Sequence, residues 1–134
     1  MKNKPVKFTV AYKVVQVSPN GEMWSMNRAL RVMATFLKNS QTLRYELSSQ
    51  TKPMNGKPLF VCESLNEARK ALKFYSATKR YILRGYAENL RPIEADRVEP
   101  QLPGIAMYVP SAFKSALCDS FIPIEIVGKA ETVN

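Results

Sequence analysis

A chain of 134 residues is one domain's worth, and a 46% hydrophobic content supports a core without disulfide staples. With 20 Lys and Arg against 11 Asp and Glu, the net charge is +9, and histidine is absent. That absence excludes a His-based triad, a His-ligated metal or haem and an imidazole general base. Cys62 and Cys118 lie far apart with no C-x-x-C, which excludes a zinc knuckle or redox pair.

The chain opens on a basic Met1 to Pro5 with no apolar stretch behind it, so no signal peptide is expected. No run reaches the roughly 18 apolar residues of a membrane span. The expectation is a cytoplasmic protein with no membrane partner, whose two cysteines are reduced, small buried hydrophobes.

Val6, Phe8, Val10, Tyr12 and Val14 recur at period two, which predicts a half-buried strand over 6–17. Ser18-Pro19-Asn20-Gly21 is a turn, and residues 22–26 return as the second strand of a hairpin. The period then changes. Leu30, Met33, Ala34 and Leu37 predict a helix near 27–38, capped by Ser25 or Asn27, with Arg28 and Arg31 in its opening turns.

Leu43, Tyr45 and Leu47 alternate as a strand, and residues 48–58 form a loop. Leu59 to Cys62 is a short apolar run expected as a central strand. Ser64-Leu65-Asn66-Glu67 predicts a reciprocal capping box opening a helix over 65–75. Residues 81–90 are a strand with Ile82, Arg84, Tyr86 and Glu88 on one face, ended by Pro92. Residues 94–103 are expected as an acidic loop. Residues 105–109 and 121–127 are expected as strands around a Ser/Ala-rich turn.

The result is an α+β domain over 1–127, a mostly antiparallel twisted sheet with two packed helices, followed by a tail over 128–134. A homo-oligomer is expected, because the long alternating strand over 6–17 would offer an edge that needs covering.

The basic surplus lies in the first two thirds: residues 1–91 hold 17 Lys and Arg against 5 acids, and residues 92–134 hold 3 against 6. A positive surface captures anions, so phosphate-bearing ligands are the natural class. Arg28 and Arg31 oppose the helix dipole, at about 0.3–1 kcal/mol each, and with the free first-turn amides they would make an anion site; the alternative is a solvated face.

Arg84 offers a bidentate phosphate fork, Tyr86 a stacking ring, Glu88 an acceptor for a purine amine or ribose, and Arg91 a further cation at the strand end. The alternative there is a cross-strand pair, Arg84 with Glu46 or Glu88 with Arg44. Lys52 and Lys57 sit in a loop that is not a P-loop but could act as a lid. Trp24 either stacks a base or packs in the core. No catalytic residue, cofactor or metal ligand is identified. ADP-ribosyltransferase-like chemistry has only an early Tyr12 and a late Glu125 to draw on.

The succession Tyr12-Lys13-Val14-Val15 to Gly21, Tyr45-Glu46-Leu47, Leu59-Phe60-Val61, Ser64 to Ala68 and Leu117-Cys118-Asp119-Ser120 resembles small bacteriophage proteins. In size and layout the chain is similar to the phage anti-Thoeris sponges. That resemblance implies a non-catalytic counter-defence protein in the infected host cell, sequestering a cyclic ADP-ribose-type or cyclic oligonucleotide signal. It would have arginines on the diphosphate and an aromatic ring on the adenine, with Arg28, Arg84 and Tyr86 as counterparts by residue type. The competing expectations are a nucleic-acid-binding protein or one that blocks a host ribonucleoprotein effector, and the ADP-ribosyltransferase-like enzyme.

Overall fold

The computed structural model describes residues 7–25, 43–53, 58–75, 79–93, 99–102, 105–107 and 113–131. The helix expected near 27–38 lies outside them. Phe8–Val17 (β1) and Met23–Ser25 (β2) form the expected hairpin, paired from Val15↔Ser25 to Val17↔Met23. Gly21 has a φ of 87° and its amide bonds Ser18 O at 2.9 Å, a backbone geometry that favours glycine at this turn.

Arg44–Tyr45 (β3) pairs with β2, and Leu59–Val61 (β4) leads to the helix Leu65–Phe74 (α1). Then follow Lys79–Glu88 (β5), Arg91–Pro92 (β6), Glu99–Leu102 (β7), Ile105–Met107 (β8), Ala116–Cys118 (β9) and Ser120–Glu131 (β10). The five-stranded sheet runs β10-β5-β1-β2-β3, the three-stranded one β4-β9-β6, and β7-β8 is a separate pair. All pairs are antiparallel.

The described fold is therefore mostly β, a curled antiparallel sheet with one helix, and not the α+β domain with two packed helices expected from the sequence. The strand content beyond expectation arises in the C-terminal half. Ala116–Cys118 sits in a Ser/Ala-rich stretch read as a turn, yet all three residues are buried and pair with both β4 and β6. The presumed acidic loop contains β7. The presumed tail from Gly128 continues β10 to Glu131, opposite Lys79 of β5. Leu59–Val61 is an edge strand of the smaller sheet, although Cys62 makes a two-way backbone bridge to Tyr12 at 2.7 and 2.9 Å.

Period two on β1 and β5 separates two cores. Ala11, Val15, Leu83 and Ala87 face the inside of the curl with Tyr45, Leu59, Val61, Cys118 and Phe121. Val14 and Ile82 face the other way and receive Ala68 and Ala71 of α1 together with Cys62 and Phe113. Both cysteines are free and buried, as expected.

The helix starts where Ser64 predicts, its hydroxyl accepting the Glu67 amide at 3.2 Å. The reciprocal half of the box does not form. Glu67 instead accepts the Lys114 amide at 2.6 Å and the Lys70 ammonium at 2.9 Å, and these bonds, the backbone one first, hold its carboxyl below its ordinary range. A tertiary amide has displaced the local one, so Glu67 ties α1 to the segment before β9. At the other end the buried Arg80 donates to Tyr75 O, a cation placed at the negative end of the helix.

Gly85 is required by a close approach. A β-carbon there would lie 2.0 Å from Ile122 O and 2.7 Å from Pro123 Cα, both backbone atoms of β10. Gly85→Ala is expected to destabilise by several kcal/mol, since the clash is with backbone that no rotamer relieves; urea unfolding followed by circular dichroism measures it. Ser64→Ala should cost about 1 kcal/mol; Glu67→Ala keeps the amide that the cap binds and should lower the melting temperature by a separate route, the loss of the Lys114 and Lys70 bonds.

Candidate functional site

β5 lies between β1 and β10, and its outward positions are Arg80, Ile82, Arg84, Tyr86 and Glu88. Helix α1 covers the Ile82 end of this face. The other end is open. Register places Phe8, Val10 and Tyr12 opposite Glu88, Tyr86 and Arg84 on one side, and Ser120, Ile122 and Glu125 opposite the same three on the other. Phe8 (44%), Val10 (42%), Tyr86 (46%) and Ile124 (44%) keep much of their surface exposed. Ile124 is the extra residue of a bulge in β10, between Pro123 and Glu125. Register puts Phe8, Val10 and Tyr86 together on this face, so three of these exposed apolar groups are neighbours.

The charged groups on this face have partners. Arg84 Nη1 lies 3.4 Å from Glu125 Oε1, both side chains half-exposed, so the alternative pairing with Glu46 is not formed; Glu46 and Glu22 instead pair with Arg44. Glu88 accepts the Ser120 hydroxyl at 2.7 Å, and that hydroxyl accepts from Gln50 Nε2 at 2.8 Å. Arg91 lies on β6, donating to Asp119 at 2.9 Å and to Asn89 O at 3.0 Å. Partial burial would raise the Asp119 carboxyl, but bonds from Asn89 and Arg91 outweigh it and hold the group below its ordinary range.

Of the residues proposed from sequence, the structure thus brings together Arg84, Tyr86 and Glu88, with Arg91 beyond the strand end in its own ion pair. Trp24 does not join them. It lies in the row of Gln16, which is opposite Arg80, six strand positions from Tyr86 or roughly 20 Å. Lys52 is exposed in the loop after Thr51, which bridges to Phe121. Arg28, Arg31 and Lys57 lie outside the described residues. Tyr12 and Glu125 fall in one row but on opposite sides of Arg84, so β5 separates them. The oligomer argument from an open β1 edge falls, because β1 is an interior strand, between β5 and β2; the exposed feature is a face.

Sequence reading missed Lys13, which alternation places inside the curl. Its ammonium donates to Phe60 O at 2.5 Å and lies 5.7 Å from the Tyr45 ring centroid. Burial lowers it to about 8, against a smaller opposing influence of Cys118 and Cys62. Burial likewise pushes the Cys62 thiol up to about 12 and Cys118 to about 11, and raises the Tyr45 phenol. The Tyr45 hydroxyl is buried and has no hydrogen-bond partner among the described residues. The only sequence signal was a lysine at an inward position of a period-two strand.

The signs of these shifts differ. Lys13 ordinarily titrates at 10.5, so above pH 8 the unfolded chain holds a proton that the folded one gives up, and stability rises with pH. The thiols ordinarily titrate at 9.0, so above pH 9 the unfolded chain loses protons that the folded one keeps, and stability falls. Stability should therefore gain from Lys13 between pH 8 and 9 and lose through the thiols above it. Lys13→Met should be the more stable protein at pH 7, by about 1–3 kcal/mol, with the advantage shrinking towards pH 9 in urea unfolding run at both values.

No helix among the described residues is long and apolar enough to cross a membrane. No protein-family model, curated protein or solved structure matches the chain.

Proposed function

We propose that this chain is a non-catalytic binding protein that sequesters an anionic nucleotide signal on the open half of its sheet. The observation that carries the reading is Tyr86, an exposed ring on the middle strand with Val10 and Ile122 beside it and Arg84 one row away on the same face. A base can stack on the ring. The phosphates fall to Arg84, whose half-exposed pair with Glu125 is worth only about 0–1 kcal/mol and is cheaply exchanged. The two carboxylates of the face are each engaged by a neighbour, Glu88 by Ser120 and Glu125 by Arg84, which favours binding over proton transfer. The biological setting that suits such a protein is phage counter-defence in the host cytoplasm, with the cyclic ADP-ribose type and cyclic oligonucleotides as ligand classes.

A nucleic-acid partner is the second reading, and a different surface favours it. Arg69 and Lys73 are exposed one turn apart on α1, with Lys114 beside Glu67, whereas the open sheet carries one arginine against two glutamates. Homo-oligomers remain part of the proposal, now through the apolar positions Phe8, Val10 and Ile124.

Arg84→Ala should weaken a cyclic ADP-ribose-type ligand by roughly thirty- to a hundredfold, about 2–3 kcal/mol, and Arg84→Lys should not restore it. Tyr86→Ala should cost about 1–3 kcal/mol, with Tyr86→Phe largely spared. Glu125→Gln should tighten binding by up to about fivefold, since it frees Arg84. Calorimetric titration against cyclic ADP-ribose isomers, cyclic oligonucleotides and duplex DNA measures all three. If no nucleotide binds, and Lys73→Ala lowers both DNA affinity and its salt slope, the helix reading replaces this one.

A further inference from the structure

Glu88 ends the row of outward positions on β5, half-buried, with Phe8 on one side and Ser120 on the other. No lysine or arginine among the described residues pairs with it: Arg84 is taken by Glu125, Arg91 by Asp119, and Arg44 by Glu22 and Glu46. What meets it is a chain of donors. Gln50 Nε2 donates to the Ser120 oxygen at 2.8 Å, so the hydroxyl's own hydrogen is turned to Glu88 Oε1 at 2.7 Å. Ser120 is fully buried, and no solvent competes for that hydrogen. Glu88 is thereby held as an acceptor, and its second oxygen, Oε2, takes no bond among the described residues.

An acceptor fixed two positions from an exposed ring is placed to read the edge of a base lying on that ring. Resting on the reading of this face as a nucleotide site, we propose that Glu88 discriminates the base and selects guanine. A purine stacked on Tyr86 has Arg84 on the side of its phosphates and Glu88 on the other, roughly 14 Å apart along the strand. The Watson–Crick edge of guanine carries two adjacent donors, N1–H and the exocyclic amine, and a carboxylate that only accepts can take both together. Adenine offers one amine beside the N1 lone pair, and that lone pair repels the carboxylate. Hypoxanthine keeps N1–H but lacks the amine, so it falls between the two.

Calorimetric titration with GDP, IDP and ADP at one pH and ionic strength reads the preference. The wild-type chain is expected to bind GDP at least about tenfold more tightly than ADP, with IDP between them, since a site built to accept hydrogen bonds penalises a base that lacks the donors. Glu88→Gln should bring the GDP-to-ADP ratio to about threefold or less, because a glutamine amide pairs with adenine as well. Tyr86→Ala should weaken all three nucleotides by similar factors. A wild-type ratio below tenfold overturns the proposal. So does a Gln variant that weakens all three by one common factor, since Glu88 would then only brace Ser120. In both cases nucleotides still bind, and the reading of the face as a nucleotide site stands. If none of the three binds at millimolar concentration, that reading and this proposal fall together. Should the Gln variant fail to fold, the wild-type order of the three bases decides alone.

Discussion

The close seat of β10 on β5 governs the rest of the molecule. Gly85 offers no β-carbon, so the backbone at Ile122 and Pro123 closes onto it, and the edge strand stays paired with β5 through two register shifts to Glu131. Pro123 has no amide to give, which an edge strand tolerates, and its carbonyl takes the Ser48 amide at 2.6 Å. With β10 held there, Phe121 is fully buried against Tyr45 in an edge-to-face contact, and the inner core is closed. The same seat sets Ile122 beside Tyr86 and Glu125 beside Arg84, so the constraint that completes the core also composes the open face.

Much of this was legible where a residue's local pattern and its tertiary role agree. The Ser18–Gly21 turn, the alternation of β5 and the Ser64 cap are decided by neighbours within a few positions. The failures fall where a distant group outbids a local one. Glu67 fits a capping box, but the Lys114 amide competes for it and wins. Ala116, Leu117 and Cys118 have little strand propensity between them; pairing on both sides makes them a strand. Gly128 reads as a break, yet it lies against Ile82, where a β-carbon would come within 2.8 Å of the side chain, so it marks tight packing. Of the site, the spacing of Arg84, Tyr86 and Glu88 was visible because period two fixes a shared face. Their partners on β1 and β10 were not, because register across strands far apart in sequence is set by the closed core.

The open face and the buried amine show two ways of keeping charge in a small β protein. On the outside, opposite charges are laid side by side across strands, Arg84 with Glu125, and half-exposure keeps the pair exchangeable. Inside, Lys13 has no counter-charge and relies on a backbone carbonyl and an aromatic face, so its proton is the part held weakly. Among the described residues the positive charge is thus distributed unevenly in chemical availability: some cations are paired, some solvated, and Lys13 is still mostly charged at neutral pH but gives up its proton more readily than the rest.

The order of strands also fixes when the sheet can be completed. β5 needs β1 on one side and β10 on the other, and β10 comes last among the described strands. A chain leaving the ribosome therefore carries β5 with one edge bare until β10 emerges, and the Leu83 and Ala87 side stays uncapped by Phe121 for that interval. Loop-closure entropy must be met before these distant pairings contribute, which places folding on the slow side for a domain of this size. The bare strand edge is an aggregation hazard during synthesis, so yield in the cell depends on how quickly the last strand reaches its place.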